Sequence, residues 1–568
     1  MSLSGTLQIG RSALAVTQSA IQTHGNNIAG ASDPNYSRQV ARVGSTRDRS
    51  AGDGIFLGTG IELAGVERQV DEALIRRLDA AAGDRAAATE KLSWLQQAEG
   101  TFNELTDADL STAMTSFFNS WNALGTNPGD PALRRSVISE GEALAEEFNR
   151  LNDSISRLAK DVDTRVDAYA KETDRLLGEV ATLNLQISQA EGSGGGGPSN
   201  ALRDRRDGLV NELAGIAGTR AILQPDGSLN VYAGTEPLVI AGDASGIELD
   251  RRVDAESGRV QVTVTISDGG GPAPLKGGQL GGATEAQSIL HATLDRIDAV
   301  AQALKHEVNT IHASGQGTRG YDSVSADVRV DDSTVPLDAA AAGVDVPVQN
   351  GSFVLHLRDK VGGNTTSTII DVPLDGTAGG MSLDDLAAQI DAVGGVSASV
   401  SAGRLTIGAD ATSQEIVFSE DTSGVLSSLG MASFFTGKGA ADLAVSATLK
   451  DDPSRLAASN DNTPGGNGAA LAIAGLTDRT LDSLGGGTIA MAYDATLFEV
   501  SANVRSARNE AESSGAIEET LRGQRDAISG VSLDEEAVQL MRYQRSYQAA
   551  ARLVSATDEM MRTLLELV

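Results

Sequence analysis

Apolar residues recur every seven positions at both ends of this chain, about 500 residues apart. Near the N-terminus the ladder is Leu7, Leu14, Ile21 and Ile28. Near the C-terminus it is Leu533, Leu540, Tyr547, Val554, Met561 and Val568. A seven-residue step held over several turns is the seam of a coiled coil. The simplest way to bury both seams is to bring the termini together, or against neighbouring copies. The chain is therefore expected to assemble through its ends and to display its middle elsewhere.

With 568 residues, several domains are expected. The apolar share of 40% supports real cores, and the aromatic share of 3% means that Ala, Leu, Val and Ile must build them. A formal net charge of −32 repels phosphate, which argues against nucleic acid and anionic membrane surfaces as partners. The absence of cysteine excludes disulfides, thiolate catalysis and zinc–thiolate sites. No stretch approaches the ~20 apolar residues of a membrane span, so no membrane insertion is expected. The first 32 residues carry Arg11 as their one full charge and lack a continuous apolar run, which makes a poor secretory signal.

Residues 1 to about 32 read as one helix, stopped at Asp33-Pro34-Asn35. Gly52 to Gly65 reads as a loop or short hairpin. From Leu144 to Ile187 apolar residues follow steps of three and four, with one gap at Thr173. That helix would be about 65 Å long and needs partner helices along its apolar stripe. Candidates are Leu74 to Leu105, Leu290 to Ile311 and Tyr493 to Ile528. Gly192 to Pro198 reads as a flexible joint. Two strand-rich insertions follow. One contains Leu229 to Tyr232 and the alternating Val260 to Ile266. The other contains Phe353 to Leu357, Ser367 to Val372, a helix-like Ser382 to Ile390, and Ala398 to Ile407. Ser532-Leu533-Asp534-Glu535 fits a capping box that opens the last helix.

The expected fold is α+β, multidomain and elongated. Residues 1–45 and 528–568 form a discontinuous terminal helical domain. Residues 60–215, 283–320 and 465–527 form a helical bundle, and 216–282 with 321–464 form one or two β-rich outer domains.

Catalytic and cofactor chemistry finds no foothold. His306 and His312 stand six apart, about 240° around a helix, so they cannot share a zinc as an i, i+4 pair does. They read instead as two partly exposed histidines of a bundle helix. Gly194 to Gly197 lacks the following Lys and Ser/Thr of a phosphate loop. Gly277 to Gly282 lacks the dinucleotide-binding spacing, and the Asp-rich turns lack a calcium-loop pattern. No metal, no cofactor and no enzymatic activity are expected.

Both ends carry residues that resemble one family, the axial proteins of the bacterial flagellum. At the N-terminus these are Asn26, Asn27, Ile28 and Ala29, then Pro34, Asn35, Tyr36, Ser37, Arg38 and Gln39. Gly30 stands where the family usually has Asn, and Asn35 where it usually has Gly. Asn35 can still take the left-handed turn. At the C-terminus they are Ser532, Leu533, Asp534, Glu535, Glu536 and Ala537, then Tyr543, Gln544, Tyr547 and Gln548. Interior motifs are similar to the hook-associated branch at the hook–filament junction: Asn127-Pro128, Asp130 to Arg134, Leu202 to Val210, Gly281-Gly282, Asp226-Gly227 with Leu238-Val239, and Asn309 to His312. The likeness fades across residues 321–461.

The resemblance implies a non-enzymatic building block that self-associates in a ring or helical lattice. It implies contacts with the hook protein and with a second hook–filament junction protein. It also implies export unfolded through the flagellar type III channel from the cytoplasm, with a chaperone on the C-terminal segment, and final residence outside the cell. The alternatives are another axial part (hook, distal rod or second junction protein) and a β-rich surface adhesin.

Overall fold

The computed structural model describes residues 3–52, 55–102, 109–192, 198–254, 258–267, 271–273, 275–344, 346, 348–376, 379–461 and 465–566. Of the expected joint from Gly192 to Pro198, residues 193–197 lie outside the described residues, as do Gly54 and the last rung of the C-terminal ladder, Val568.

Helices dominate the chain, which is a multidomain α+β protein with several small sheets. In chain order they are α1 (Leu3–Gly30), α2 (Glu72–Phe102), α3 (Leu110–Thr126), α4 (Pro131–Gly192), α5 (Asn200–Ala217), α6 (Gly278–Ala313) and α7 (Leu383–Asp391). After these come the short α8 (Val425–Ser428), α9 (Ala447–Asp451) and α10 (Gly468–Ala474), then the long α11 (Ile489–Ser529) and α12 (Leu533–Glu566). Two compact units divide the chain. The first comprises Met1–Trp94, Asp161–Ser288 and Arg505–Val568; the second comprises Leu95–Lys160 and Ile289–Val504.

In the first unit, β1 (Gln39–Ser45) pairs with β4 (Ile61–Arg68), and β2 (Arg49–Gly52) with β3 (Ile55–Leu57), all antiparallel. The segment Gly52 to Gly65, expected as a loop or short hairpin, thus holds β3 and the first part of β4, the returning arm of a longer hairpin. A four-stranded meander follows: β5 (Arg220–Leu223), β6 (Leu229–Ala233), β7 (Glu236–Ile240) and β8 (Asp243–Ala244). Then come the paired β9 (Ile247–Val253) and β10 (Val260–Ile266). Helix α6 starts inside the stretch 216–282 that was expected to be β-rich. Gly282 lets α6 cross α2 closely, because a Cβ there would collide with the Ala87 carbonyl.

Helix α4 buries every apolar position of its stripe in this unit, including Val162, Val166, Tyr169, Leu176, Val180, Leu183 and Ile187. The gap residue Thr173 is buried too. Its hydroxyl donates to the Tyr169 carbonyl at 2.8 Å, which satisfies it within its own helix.

The second unit carries its own core. Its strands are β11 (Ser323–Ser325), β12 (Gly351–Asp359), β13 (Thr365–Val372), β14 (Val396–Ser401), β15 (Arg404–Ala409), β16 (Gln414–Ser419), β17 (Phe435–Thr436) and β18 (Ala444–Val445). They form sheets of order β13-β12-β16 and β11-β15-β14, with β17 paired to β18. Phe353, Leu355, Ile370, Leu386, Ile390, Ile407, Ile416 and Phe418 meet in one apolar cluster. The expected strand Ala398–Ile407 is a hairpin, turned at Ala402 and Gly403 with φ of 51° and 77°.

A reciprocal capping box does form, but at Ser382. Its hydroxyl accepts from the Asp385 N–H, and the Asp385 carboxylate accepts from the Ser382 N–H, both at 3.2 Å. At Ser532 the Glu535 N–H stands 3.5 Å from the hydroxyl, and the Glu535 carboxylate is turned to Arg38 at 3.3 Å instead of reaching back.

A second aromatic core packs α3 against the 432–435 segment. Phe117, Trp121, Phe434 and Phe435 are all buried, and their rings contact edge to face or tilted. His312 belongs to this core and is not partly exposed as expected. Its Nδ1–H donates to the Ala432 carbonyl at 2.7 Å, and its Nε2 accepts from the Ala457 N–H at 3.0 Å. Both partners lie more than a hundred residues away, so the local sequence did not show them. Burial pushes the ring's pKa down to about 4; the bond to Ala432 opposes that and the charge of Arg134 adds to it. Asn309 grips the same segment by donating to the Phe435 carbonyl and accepting from the Phe434 and Phe435 N–H groups. Arg134 donates to the Pro128 and Leu456 carbonyls. The interior motifs around Asn127 and Asn309 are therefore structural clamps.

Candidate functional site: the paired termini

Within the first unit, α1 and α12 pack as an antiparallel pair. His24 meets Glu536 and Tyr543, while a Cβ on Gly10 would stand 2.6 Å from Val554 Cγ2. The two ends of the chain therefore bury each other, though not through the apolar ladders alone. Leu7, Leu14, Ile21 and Ile28 are half-buried, as are Leu540, Val554 and Met561. Tyr547 is 38% exposed and Leu533 55% exposed. The fully buried positions of α1 are Gly10, Val16, Thr17, Ala20, Thr23, His24 and Asn27. On α12 they are Glu536 and Thr557, among the described residues.

Small and polar side chains thus line the closest approach. Thr17, Thr23 and Thr557 satisfy their hydroxyls on their own helices, donating to Ala13, Ser19 and Leu553 carbonyls at 2.7, 2.9 and 2.7 Å. The backbones can then come close without an unsatisfied polar group between them.

At one end of the pair a polar cluster closes around Glu536, whose residue exposure is 0%. One carboxylate oxygen accepts from His24 Nδ1–H at 2.5 Å and from Asn27 Nδ2–H at 2.9 Å. The other accepts from Arg38 Nε–H at 2.8 Å. Asn27 uses its full capacity. Its second donor goes to the Gln39 carbonyl, and its oxygen accepts from the Tyr36 hydroxyl and the Gln39 N–H, each at 2.9 Å. The Arg38 N–H donates to the Ser529 carbonyl at 2.9 Å, and Arg525 donates to the Tyr36 carbonyl at 3.2 Å. The end of α1, the strand that follows it, the end of α11 and the start of α12 are tied in one network. His24 also stacks on Tyr543, ring centres 5.3 Å apart.

Burial alone would raise the pKa of Glu536. The hydrogen bonds from Asn27 and His24, with the charges of His24 and Arg38, outweigh it and hold the carboxyl below its ordinary value. Burial, helped by the nearby Asp204 and Glu536, pushes the Tyr36 phenol up to about 12, so it keeps the proton that it donates to Asn27.

The structure brings together Asn27, Tyr36, Arg38, Glu535, Glu536 and Tyr543 from the two end signatures. Ser37 is buried as well but donates to Asp204 of α5, which also binds Arg68 at 2.9 Å. Asn26, Ala29, Ser532, Leu533, Asp534, Gln544, Tyr547 and Gln548 face outward. Sequence reasoning missed His24, Arg525 and the Ser529 carbonyl. His24 was findable: it lies three residues before Asn27, on the same helical face.

In the 202–210 motif, Arg203 grips Glu191 at 2.7 and 2.8 Å, Asp204 and Asp207 share Arg68, and buried Arg206 donates to Asn184 and to the Gly227 carbonyl. These bonds fasten α5 to its neighbours. Among the described residues no three metal-ligating side chains converge, and no helix is long and apolar enough to cross a membrane.

Residues 95–325 match the family described as flagellar hook-associated protein FlgK helical domain. Residues 524–567 match flagellar basal body rod FlgEFG protein C-terminal. Flagellar hook-associated protein 1 of Salmonella typhimurium is 24% identical over 583 residues, covering 100% of both chains. The Escherichia coli protein of that name is 24% identical over 594 residues with the same coverage, and the Bacillus subtilis one is 29% identical over 242 residues, 41% of this chain. A solved structure, the flagellar hook junction protein FlgK from Burkholderia pseudomallei, aligns with a TM-score of 0.49 and 16% identity over 80% of this chain and 100% of its own. Matched end to end by such relatives, the chain is a homologue of flagellar hook-associated protein 1.

Proposed function

We propose that this chain is a structural component of the hook–filament junction, adapting hook to filament and needed for filament assembly. The observation that carries the reading is the paired termini: α12 buries Glu536 and Thr557 against α1 and leaves Leu533, Val538, Met541, Leu553, Met560 and Leu564 exposed. A helix that spends so few apolar residues on its own chain has the rest to offer to neighbours. The neighbours are further copies in a ring or helical lattice, the hook protein on one side and a second junction protein on the other. Before export the same residues are an aggregation hazard, which suits a chaperone on the C-terminal segment and passage through the type III channel from the cytoplasm. The role is non-enzymatic. The terminal pair acts as the axial core, the long helices as the next shell, and the β-rich segments 216–282 and 321–464 as the outer parts.

Two experiments test the reading. Deletion of the gene should leave hooks without filaments in negative-stain electron micrographs, with flagellin shed into the medium; normal filaments would refute it. Removal of residues 533–568 should leave the second unit folded and abolish incorporation into flagella. Normal incorporation of the truncated chain would remove the assembly role of α12.

A further inference from the structure

Two helices with apolar residues every seven positions can slide past each other by one repeat, about 10.5 Å, and meet the same kind of contact again. Leu7, Leu14, Ile21 and Ile28 offer equivalent rungs to Leu540, Tyr547, Val554 and Met561. The small residues between the rungs repeat as well, with Gly10 and Thr17 seven apart on α1 and Ala550 and Thr557 seven apart on α12. The apolar rungs themselves repeat, and only Gly10, which leaves room for Val554, leans towards the observed alignment. The seam does hold one feature that cannot repeat, which is the buried carboxylate of Glu536 with donors from His24, Asn27 and Arg38.

We infer that the Glu536 cluster is the register determinant of the terminal pair, selecting among alignments that the seven-residue ladders leave equivalent. If α12 slid one repeat towards the start of α1, Glu536 would face Thr17 and Ala20. The Thr17 hydroxyl is already donated to the Ala13 carbonyl, and Ala20 has nothing to give, so the carboxylate would lie buried without a donor. Asn27 would at the same time lose one of its two acceptors, and Arg38 its buried partner. If α12 slid the other way, Glu536 would pass the end of α1 at Gly30 and reach the Asp33-Pro34-Asn35 turn, which is exposed, and the three donors would again be left behind. A buried polar group at a single seam position fixing alignment at some cost in stability is an established use of such groups in coiled coils. Register matters for more than the pair. A slip by one repeat moves every outward residue of α12 by two turns relative to β1 and α11, and so changes the apolar surface offered to other molecules. Only that consequence rests on the assembly role proposed above; the choice of register is a property of the chain by itself.

The native absence of cysteine makes the test direct. Three variants of the full-length chain report alignment: Gly10→Cys with Val554→Cys for the observed register, and Gly10→Cys, Val554→Ala with Tyr547→Cys or Met561→Cys for the two slipped ones, the change at 554 removing the Cγ2 that a Cβ on residue 10 would meet at 2.6 Å. Copper phenanthroline and oxygen oxidise the two thiols of each pair to one disulfide, read as a shift on a denaturing gel. The otherwise native chain should cross-link 10–554 and give little 10–547 or 10–561. Adding Glu536→Leu should raise at least one slipped cross-link tenfold or more while circular dichroism keeps its helical signal. Asn27→Leu should do the same from the donor side, and it decides the question if Glu536→Leu fails to fold. Cross-linking confined to 10–554 in both variants overturns the inference. Loss of all three cross-links overturns it too, because the cluster would then hold the helices together rather than align them. Comparable cross-linking of all three pairs in the native background has the same meaning. The gene-deletion phenotype is independent of these results, so a failed register lock and a failed junction role are told apart.

Discussion

Helices α3 and α12 are both amphipathic, yet they spend their apolar residues in opposite ways. In α3, 17 residues long, Leu110, Met114, Phe117, Phe118, Trp121 and Leu124 are all buried, and their partners come from the same unit of the same chain. In α12, 34 residues long, the two fully buried side chains are Glu536 and Thr557. The core around α3 is mostly apolar and is filled from its own unit, with His312 and Asn309 bonded to backbone groups within it. The seam of α12 is narrow and polar at its centre, with apolar residues at its margins and on its outer face. Burial of apolar surface is the main source of stability. The first arrangement is thus built to be stable alone, whereas the second leaves part of that stabilisation for other molecules to supply. Substitutions in the two regions should therefore separate stability from assembly.

The largest loss of stability is expected at Trp121, which is buried among Phe117, Phe434 and His312. Trp121→Ala should cost about 3–5 kcal/mol, as large-to-small changes at packed aromatic sites do. Thermal melting followed by circular dichroism, with hydrogen exchange on α3, would check it. A loss under about 1 kcal/mol would mean that this core is looser than its packing indicates.

His312 comes next and adds a pH dependence. Its pKa is about 4 in the folded chain and about 6.5 when unfolded. Between these values the unfolded chain holds a proton that the folded chain refuses, so stability falls as pH falls through that window. Over its full width the loss is about 3 kcal/mol. In His312→Gln this part of the pH dependence should vanish. An unchanged slope of the melting temperature between pH 6.5 and 4 would show that the ring is not kept neutral.

How far these regions were readable from sequence differs for physical reasons. The α4 stripe was fully legible, because a long helix with one apolar face states its period many times, and even its gap at Thr173 is a buried position. The terminal ladders gave the period and the pairing of the ends, but not which row lies innermost. The row through Gly10, Thr17 and His24 has the same spacing as the row through Leu7, Leu14 and Ile21. The inner row wins because small side chains let two backbones approach and because Glu536 needs the donors that this row carries. The Phe434-Phe435 core was unreadable, since its partners on α3 and α6 lie far away in sequence. The same holds for His312, whose two bonds both go to backbone groups across the second unit.

A smaller loss is expected within the terminal cluster. Asn27→Ala removes one donor from Glu536 and leaves the Gln39 N–H and the Tyr36 hydroxyl without their acceptor. The expected cost is about 1–3 kcal/mol. It should appear as faster hydrogen exchange along α1 and α12, with α3 unaffected. Acid should loosen the same cluster. The Glu536 carboxyl is held below its ordinary value of 4.5, so its stabilisation is complete above that pH and is lost as pH falls through the lower folded value. Slowed exchange in α1, or loss of protection in α3 at the same time, would erase the distinction between the two regions.

The smallest effect on stability is expected where the effect on assembly is greatest. Leu553 and Met560, 40% and 49% exposed, lie seven apart on the outer face of α12, as the inner rungs Val554 and Met561 do on the seam. Truncating both to alanine removes little that is buried in the chain itself, so the melting temperature and the exchange of α1 should stay within about 0.5 kcal/mol of the native chain. If the outer face is spent on neighbouring molecules, the same double variant should be exported yet fail to appear in isolated flagella. Trp121→Ala chains that still fold at low temperature should assemble. Normal incorporation of the Leu553, Met560 variant would mean that the outer apolar row of α12 is idle. The difference between α3 and α12 would then reflect a thin seam at the end of a long chain rather than a surface kept for partners.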